Sequence, residues 1–227
     1  MLVNLLIPLT LAAASLARPR PFTSSCDISN AQINLPTTSP TLAPPTSHPS
    51  FIALSIGTQN YTCTSAGTYA NIGAVAELFD LSCLYKTKFQ EAAYTLWKAA
   101  PAYVTPQMII DLLHDSNSPN ILGQHYIIKN PITGIGGVPK WDFSSQGEHN
   151  PDAWVLAAPA AGMPAPTGTQ DVPWIALNNI QGALADQVYR VDTKGGQPAN
   201  TTCTPGSPVI TVRYSAKYWL FGGSIKQ

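Results

Sequence analysis

Between positions 125 and 174 the chain collects the residues best suited to chemistry: His125, Trp141, Asp142, Glu148, His149, Asp152, Trp154 and Trp174. Only 11% of its 227 residues are charged, so the concentration stands out. Asp142, Glu148, His149 and Asp152 are residue types that bind a divalent cation or form an acid–base pair. A solvated turn uses the same types, and no metal site is assigned. Tryptophan supplies flat apolar contact area, and a small-molecule site needs such area with a few orienting polar groups. The candidate ligand-contact residues are therefore His125, Trp141, Asp142, His149 and Trp174. Their expected place is the loops joining His125 to Trp154, with Trp174 at the rim, because binding residues concentrate on loops carried by a rigid sheet. The alternative is that Trp141, Trp154 and Trp174 point into the core.

Other chemistries find less support. No G-x-S-x-G elbow occurs. His114, Asp115 and Ser116 are adjacent, but a triad is a spatial arrangement, and at a helix end these types serve as caps. A dinucleotide turn needs G-x-G-x-x-G between a strand and a helix. The one approach to it, 134–139, ends in Pro139 and runs into an extended WDF segment, so no cofactor is expected. Formal net charge is zero, from 12 basic and 12 acidic residues. A nucleic-acid binder needs a basic stripe, so nucleic acid is not an expected partner.

The elements that must position these residues follow from period and punctuation. Residues 1–17 read as a secretory signal: an apolar run closed by small residues at Ser15 and Ala17. No later stretch approaches the ~20 apolar residues of a membrane helix, so no membrane association is expected. Residues 18–50 form an irregular arm rich in Pro, Thr and Ser, and 51–227 form one β-rich domain. Strands are expected at 51–56, 122–128, 139–143, 154–158, 174–177, 187–191, 209–214 and 218–221, and two short ones within 69–80 hinged near Gly73. Residues 159–168 read as a loop. An inserted helical hairpin is expected at about 84–116, laid over one end of the sheet. Thr87 and Gln90 would cap its first helix, with Phe89, Ala93, Leu96, Trp97 and Ala100 on one face. Thr105 and Pro106 start the second, with Met108, Ile109, Leu112 and Leu113 sharing a face. The fold class is mainly antiparallel β, a sandwich or flattened barrel of eight to ten strands.

Four cysteines, Cys26, Cys63, Cys83 and Cys203, suit two disulfides in an oxidising compartment, and four allow three pairings. Asn60 and Asn200 head glycosylation sequons.

The segments GTQNYTC (57–63), GAVAELFD (73–80), GQHY (123–126), the Trp of PKWDF, DVPWIAL (171–177), TKGGQPA (193–199) and VRYSAKYWLF (212–221) occur in this order. On these segments the chain resembles a secreted family known as domain of unknown function 3455, over roughly residues 34–221. The resemblance implies a Cys63–Cys203 disulfide, with Cys26–Cys83 as the second, and marks the helical insertion as a fungal-type feature. Fungal members often carry a malate dehydrogenase label. The 134–139 turn and the missing βαβ alternation do not support it here. The expected function is a secreted or cell-wall-associated protein that binds a small molecule or a cell-wall glycan without catalysis. The alternative is a secreted hydrolase, for which a cleft gathering His125, Asp142 and His149 would speak.

Overall fold

A computed structural model describes residues 26–37, 41–114, 118, 120–145 and 150–225. The expected signal, Asp115, Ser116, Glu148 and His149 lie outside the described residues. Among those described, eight strands run in sequence as β1 (Pro49–Cys63), β2 (Tyr69–Asp80), β3 (Ile121–Lys129), β4 (Gly137–Asp142), β5 (Trp154–Met163), β6 (Trp174–Gly182), β7 (Gln187–Gly195) and β8 (Ile210–Phe221). Helices α1 (Phe89–Ala99) and α2 (Pro106–His114) interrupt them between β2 and β3. Each strand pairs antiparallel with the next, and β1 pairs with β8 from Pro49 to Tyr61, closing a barrel. Closure corrects the sandwich alternative: an eight-stranded barrel leaves no sheet edge unpaired.

Several strands run further than their apolar cores suggested. Residues 69–80 form one strand rather than two, and its register shift, opposite the Asn60/Tyr61 step of β1, falls between Asn71 and Gly73, beside the expected hinge. Residues 210–221 are likewise a single strand, because Ser215, Ala216 and Lys217 stay in continuous register with β1, although the pairing with β7 shifts between Val191 and Lys194. β5 continues through Pro159 to Met163, helped by register shifts at Leu156/Ala157 and Pro159/Ala161. Propensity undercounts such residues, since ladder pairing on both sides holds them extended.

Alternation divides each strand between an inner and an outer face. Phe51, Ala76, Leu78, Leu122, Trp141, Phe143, Val155, Leu177, Leu184, Val188, Tyr218 and Leu220 belong to one buried cluster, the barrel interior. Ile52, Leu54, Trp174, Tyr189, Val191, Trp219 and Phe221 belong to a second, on the outer wall. The arm covers that wall with Ile28, Ala31 and Leu42. It is pinned by the Cys26–Cys83 disulfide, by Tyr189 donating to the Ala43 carbonyl (2.8 Å), and by Thr46 N–H donating to Gln187 Oε1 (2.9 Å). Burial on both faces of β1 explains its near-continuous apolar start. Gly57 is needed in β1 because a Cβ there would stand 2.1 Å from the Val75 carbonyl oxygen.

The helices lie on the side of the barrel, not over an end: α1 on β8, β1 and β7, α2 on β2 and β1. Trp97 Nε1 donates to the Gly57 carbonyl at 2.7 Å. Arg213, outward on β8, stacks over the Trp97 ring at 4.4 Å and donates to the carbonyls of Trp97, Lys98, Ala100, Pro101 and Val104. One guanidinium thereby gathers carbonyls from the end of α1 and from the turn that follows it. The expected capping box does not form. Lys88 occupies the N-cap position, and Gln90 reaches the barrel wall, donating to Ser215 Oγ at 2.8 Å. Thr105 does cap α2, accepting from Met108 N–H at 3.2 Å. The expected apolar faces are only partly buried: Trp97 is covered, Leu96 and Leu112 are 75% and 74% exposed, and the residue of α2 that is buried is Ile110, outside the expected face. Helical spacing marks a stripe but not which edge of it meets the barrel. No helix among the described residues is long and apolar enough to cross a membrane.

Candidate functional site

The interior is packed at one end and open at the other. Phe51 and Phe143 meet edge to face at 5.1 Å in the packed half. In the other half a cavity of about 410 Å³ remains, lined among others by Gln59, Tyr61, Asn71, His125, Trp141, Arg190, Gln197 and Tyr218. An eight-stranded barrel is just wide enough either to fill its interior or to hold one small ligand there. Ala74, a small inward residue of β2, helps to leave the space unfilled.

His125 forms the floor with Trp141 and Tyr218. Its ring stacks on Trp141 at 4.5 Å and 17° and lies 5.2 Å from Tyr218. Nδ1 is 2.9 Å from the Lys140 carbonyl, which can only accept, so the proton sits on Nδ1 and Nε2 carries the lone pair. Burial lowers the His125 pKa to about 4, outweighing the opposing effect of the Lys140 bond, and nearby Arg190 lowers it further. The imidazole is therefore neutral across the ordinary pH range. Burial also raises the Tyr218 and Tyr61 hydroxyls, so both stay protonated.

Arg190 comes from the inner face of β7, two residues from Val188. Nε and Nη2 donate to the Pro173 carbonyl at 3.2 and 2.9 Å. Among the ion pairs of the described residues, none involves Arg190. Two further donors of the lining lack partners: Gln59 Nε2 and Trp141 Nε1 are buried without a hydrogen bond. An unmet buried donor costs about 1–3 kcal/mol.

The rim is built by two interlocked loops. Asp171 accepts from Gly195 N–H at 2.6 Å and from Thr167, while Thr193 donates to the Val172 carbonyl at 2.7 Å. Gly196 sits at φ 91°, a conformation that favours glycine, and its carbonyl accepts from Tyr61 Oη at 2.8 Å. The Cys63–Cys203 disulfide closes the same end, beside the Thr68–Thr202 bridge.

Of the five candidate ligand-contact residues, the cavity takes two, His125 and Trp141. Asp142 stands on the outside of the wall, accepting from Tyr126 Oη at 2.6 Å and Ser144 Oγ at 2.6 Å and paired with Lys140 at 2.7 Å. Burial pushes its carboxyl up, but these partners outweigh that and hold it at about 2. Trp174 also faces outward, buried in the outer cluster beside Met163. His149 lies outside the described residues. The rim proposal is thus corrected by strand parity: Ile175, not Trp174, turns to the lumen. Of the 134–139 turn, residues 134–136 lie in the exposed loop between β3 and β4, where Asn130 N–H donates to the Gly136 carbonyl at 3.0 Å, and residues 137–139 begin β4. Asn60 is half-buried on β1, and Asn200 is exposed in the loop after β7.

Sequence reasoning missed Arg190, Gln59, Tyr61, Asn71 and Tyr218. A signal existed for Arg190: in QVYRV it occupies the face that alternation gives to Val188, an unusual position for a charge.

The family model described as Protein of unknown function (DUF3455) matches residues 44–222. The chain belongs to the DUF3455 family. No curated protein and no solved structure matches it. Within the DUF3455 span, the segments that carry the resemblance converge on the lumen: Gln59 and Tyr61, Ala74, His125, Trp141, Val172 with Ile175, Gln197, and Tyr218 each come from a different one or share one.

Proposed function

We propose that this DUF3455 protein is a secreted small-molecule-binding barrel that holds its ligand in the open half of the lumen and does not transform it. One observation carries the reading: a cavity of about 410 Å³ with aromatic walls, a cation and two unmet donors among its lining residues. Small-molecule sites are concave, mostly apolar, and carry a few convergent polar groups. The two disulfides and the lack of a spanning helix among the described residues are compatible with an extracellular setting. We read α1 and α2 as a helical hairpin bracing the outer wall beside the open end, held by Arg213 and Trp97.

Against the hydrolase alternative stands the composition of the lining, which includes no carboxylate, serine or thiol among the described residues. A general base works best with a pKa near the operating pH, and His125 at about 4 is far below it. Its Nε2 suits a hydrogen-bond acceptor. Asp142, the acid that would have joined it, is across the wall.

The test is a thermal-shift and tryptophan-fluorescence screen of the purified protein against small organic molecules and cell-wall oligosaccharides. A ligand at about 100 times its Kd should add ~2.7 kcal/mol and raise Tm by roughly 5–10 °C. Turnover of any screened compound that is lost in His125→Ala would replace binding with catalysis.

A further inference from the structure

We infer that the lumen selects an aromatic carboxylate, whose carboxylate docks on Arg190 and whose ring lies against the Trp141–Tyr218 floor. This rests on the binding reading above and adds the chemical class. The argument begins with the donors of Arg190. A guanidinium has five N–H groups in a fixed plane. The Pro173 carbonyl takes the Nε and Nη2 edge, at 3.2 and 2.9 Å. Both N–H groups of Nη1 and one of Nη2 remain, with the Tyr218 hydroxyl of the floor as their hydrogen-bonding neighbour; this end is the fork that matches the two oxygens of a carboxylate.

The Pro173 carbonyl also holds the plane in place before a ligand arrives, which lowers the entropic cost of binding. The charge has no acidic partner among the described residues. A half-buried cation beside the aromatic floor, without a counter-ion, is poorly solvated and gains most from an anion that enters with an apolar body.

The remaining lining fits the rest of such a molecule. Trp141 Nε1 and Gln59 Nε2 can each meet an acceptor, because neither has a partner within the protein. His125 Nε2 can accept from a ring N–H or O–H, since Nδ1 holds the proton. The floor is neutral: burial keeps His125 unprotonated and Tyr218 protonated, so Arg190 is the single charge that the lining residues present to the ligand.

Matched pairs test it: benzoate, trans-cinnamate and indole-3-acetate against benzamide, trans-cinnamamide and indole-3-acetamide, titrated by calorimetry at pH 7. At least one acid should bind about 10-fold or more tightly than its amide, the difference one charge-assisted contact provides. Arg190→Gln should abolish that preference, bringing the affinity of the acid down to that of its amide. Arg190→Lys, which keeps the charge and loses the fork, should retain only part of it. Acid and amide binding alike in the wild type would overturn the carboxylate assignment while leaving the cavity as a binding site. An acid preference that survives in Arg190→Gln would overturn it too. Failure of every acid and every amide at millimolar concentration would overturn both readings. The wild-type comparison decides the matter even if the variants do not fold.

Discussion

Glu77→Gln should stabilise the protein at alkaline pH and leave it nearly unchanged at acid pH. Glu77 stands on the outer face of β2, opposite Ile56 of β1 and Gln124 of β3, on a strand against which α2 packs. It is 2% exposed, and its Oε2 meets no hydrogen-bond donor. Burial pushes its carboxyl from 4.5 up to about 7. The folded value lies above the unfolded one, so its contribution is fully present below pH 4.5 and is lost as pH rises through 7. The gap corresponds to about 3 kcal/mol. Glutamine has the shape of the protonated acid and cannot ionise. The variant should therefore match the wild type near pH 4.5 and exceed it by up to about 3 kcal/mol at pH 8.5, roughly 5–10 °C in Tm. Urea unfolding of both proteins across that range measures the difference, and the acid titration of His125, common to both, cancels. A difference that stays constant with pH would refute the claim that folding holds this carboxyl protonated.

His125 works in the opposite direction: its folded pKa of about 4 lies below 6.5, so its contribution is complete above pH 6.5 and falls by about 3 kcal/mol as pH drops through 4. His125→Gln should flatten that acid limb in urea unfolding, and an unchanged slope would count against a neutral buried imidazole. Arg213→Ala should cost about 2 kcal/mol and speed amide exchange in residues 97–104, because it strips the donors from five carbonyls; protection unchanged there would dismiss the cap. Replacing Cys63 and Cys203 together by Ser opens a link across 140 residues. The chain-entropy estimate is a loss of about 5 kcal/mol, read as a lower denaturation midpoint.

Alternation and turn residues were enough to place most strands, because a period of two is written into the residues that pack. β7 shows it plainly, with Val188 and Arg190 on one face and Tyr189 and Val191 on the other. The sequence also determined the two helix starts between β2 and β3, through Pro101, Thr105 and Pro106, and the even cysteine count. It determined that His125 and Trp141 belong together, since both sit in short strands of matching parity and pair in register. Tertiary structure decided the rest. Whether the sheet closes depends on β1 meeting β8 across more than 150 residues, a contact no local pattern encodes. Closure in turn decides which face is a lumen: it sent Trp174 and Asp142 to the outer wall, and it turned Arg190, Tyr61 and Tyr218 from three distant stretches toward His125. Alternation reports two faces of every strand. Only the closed ring says which of them is inside.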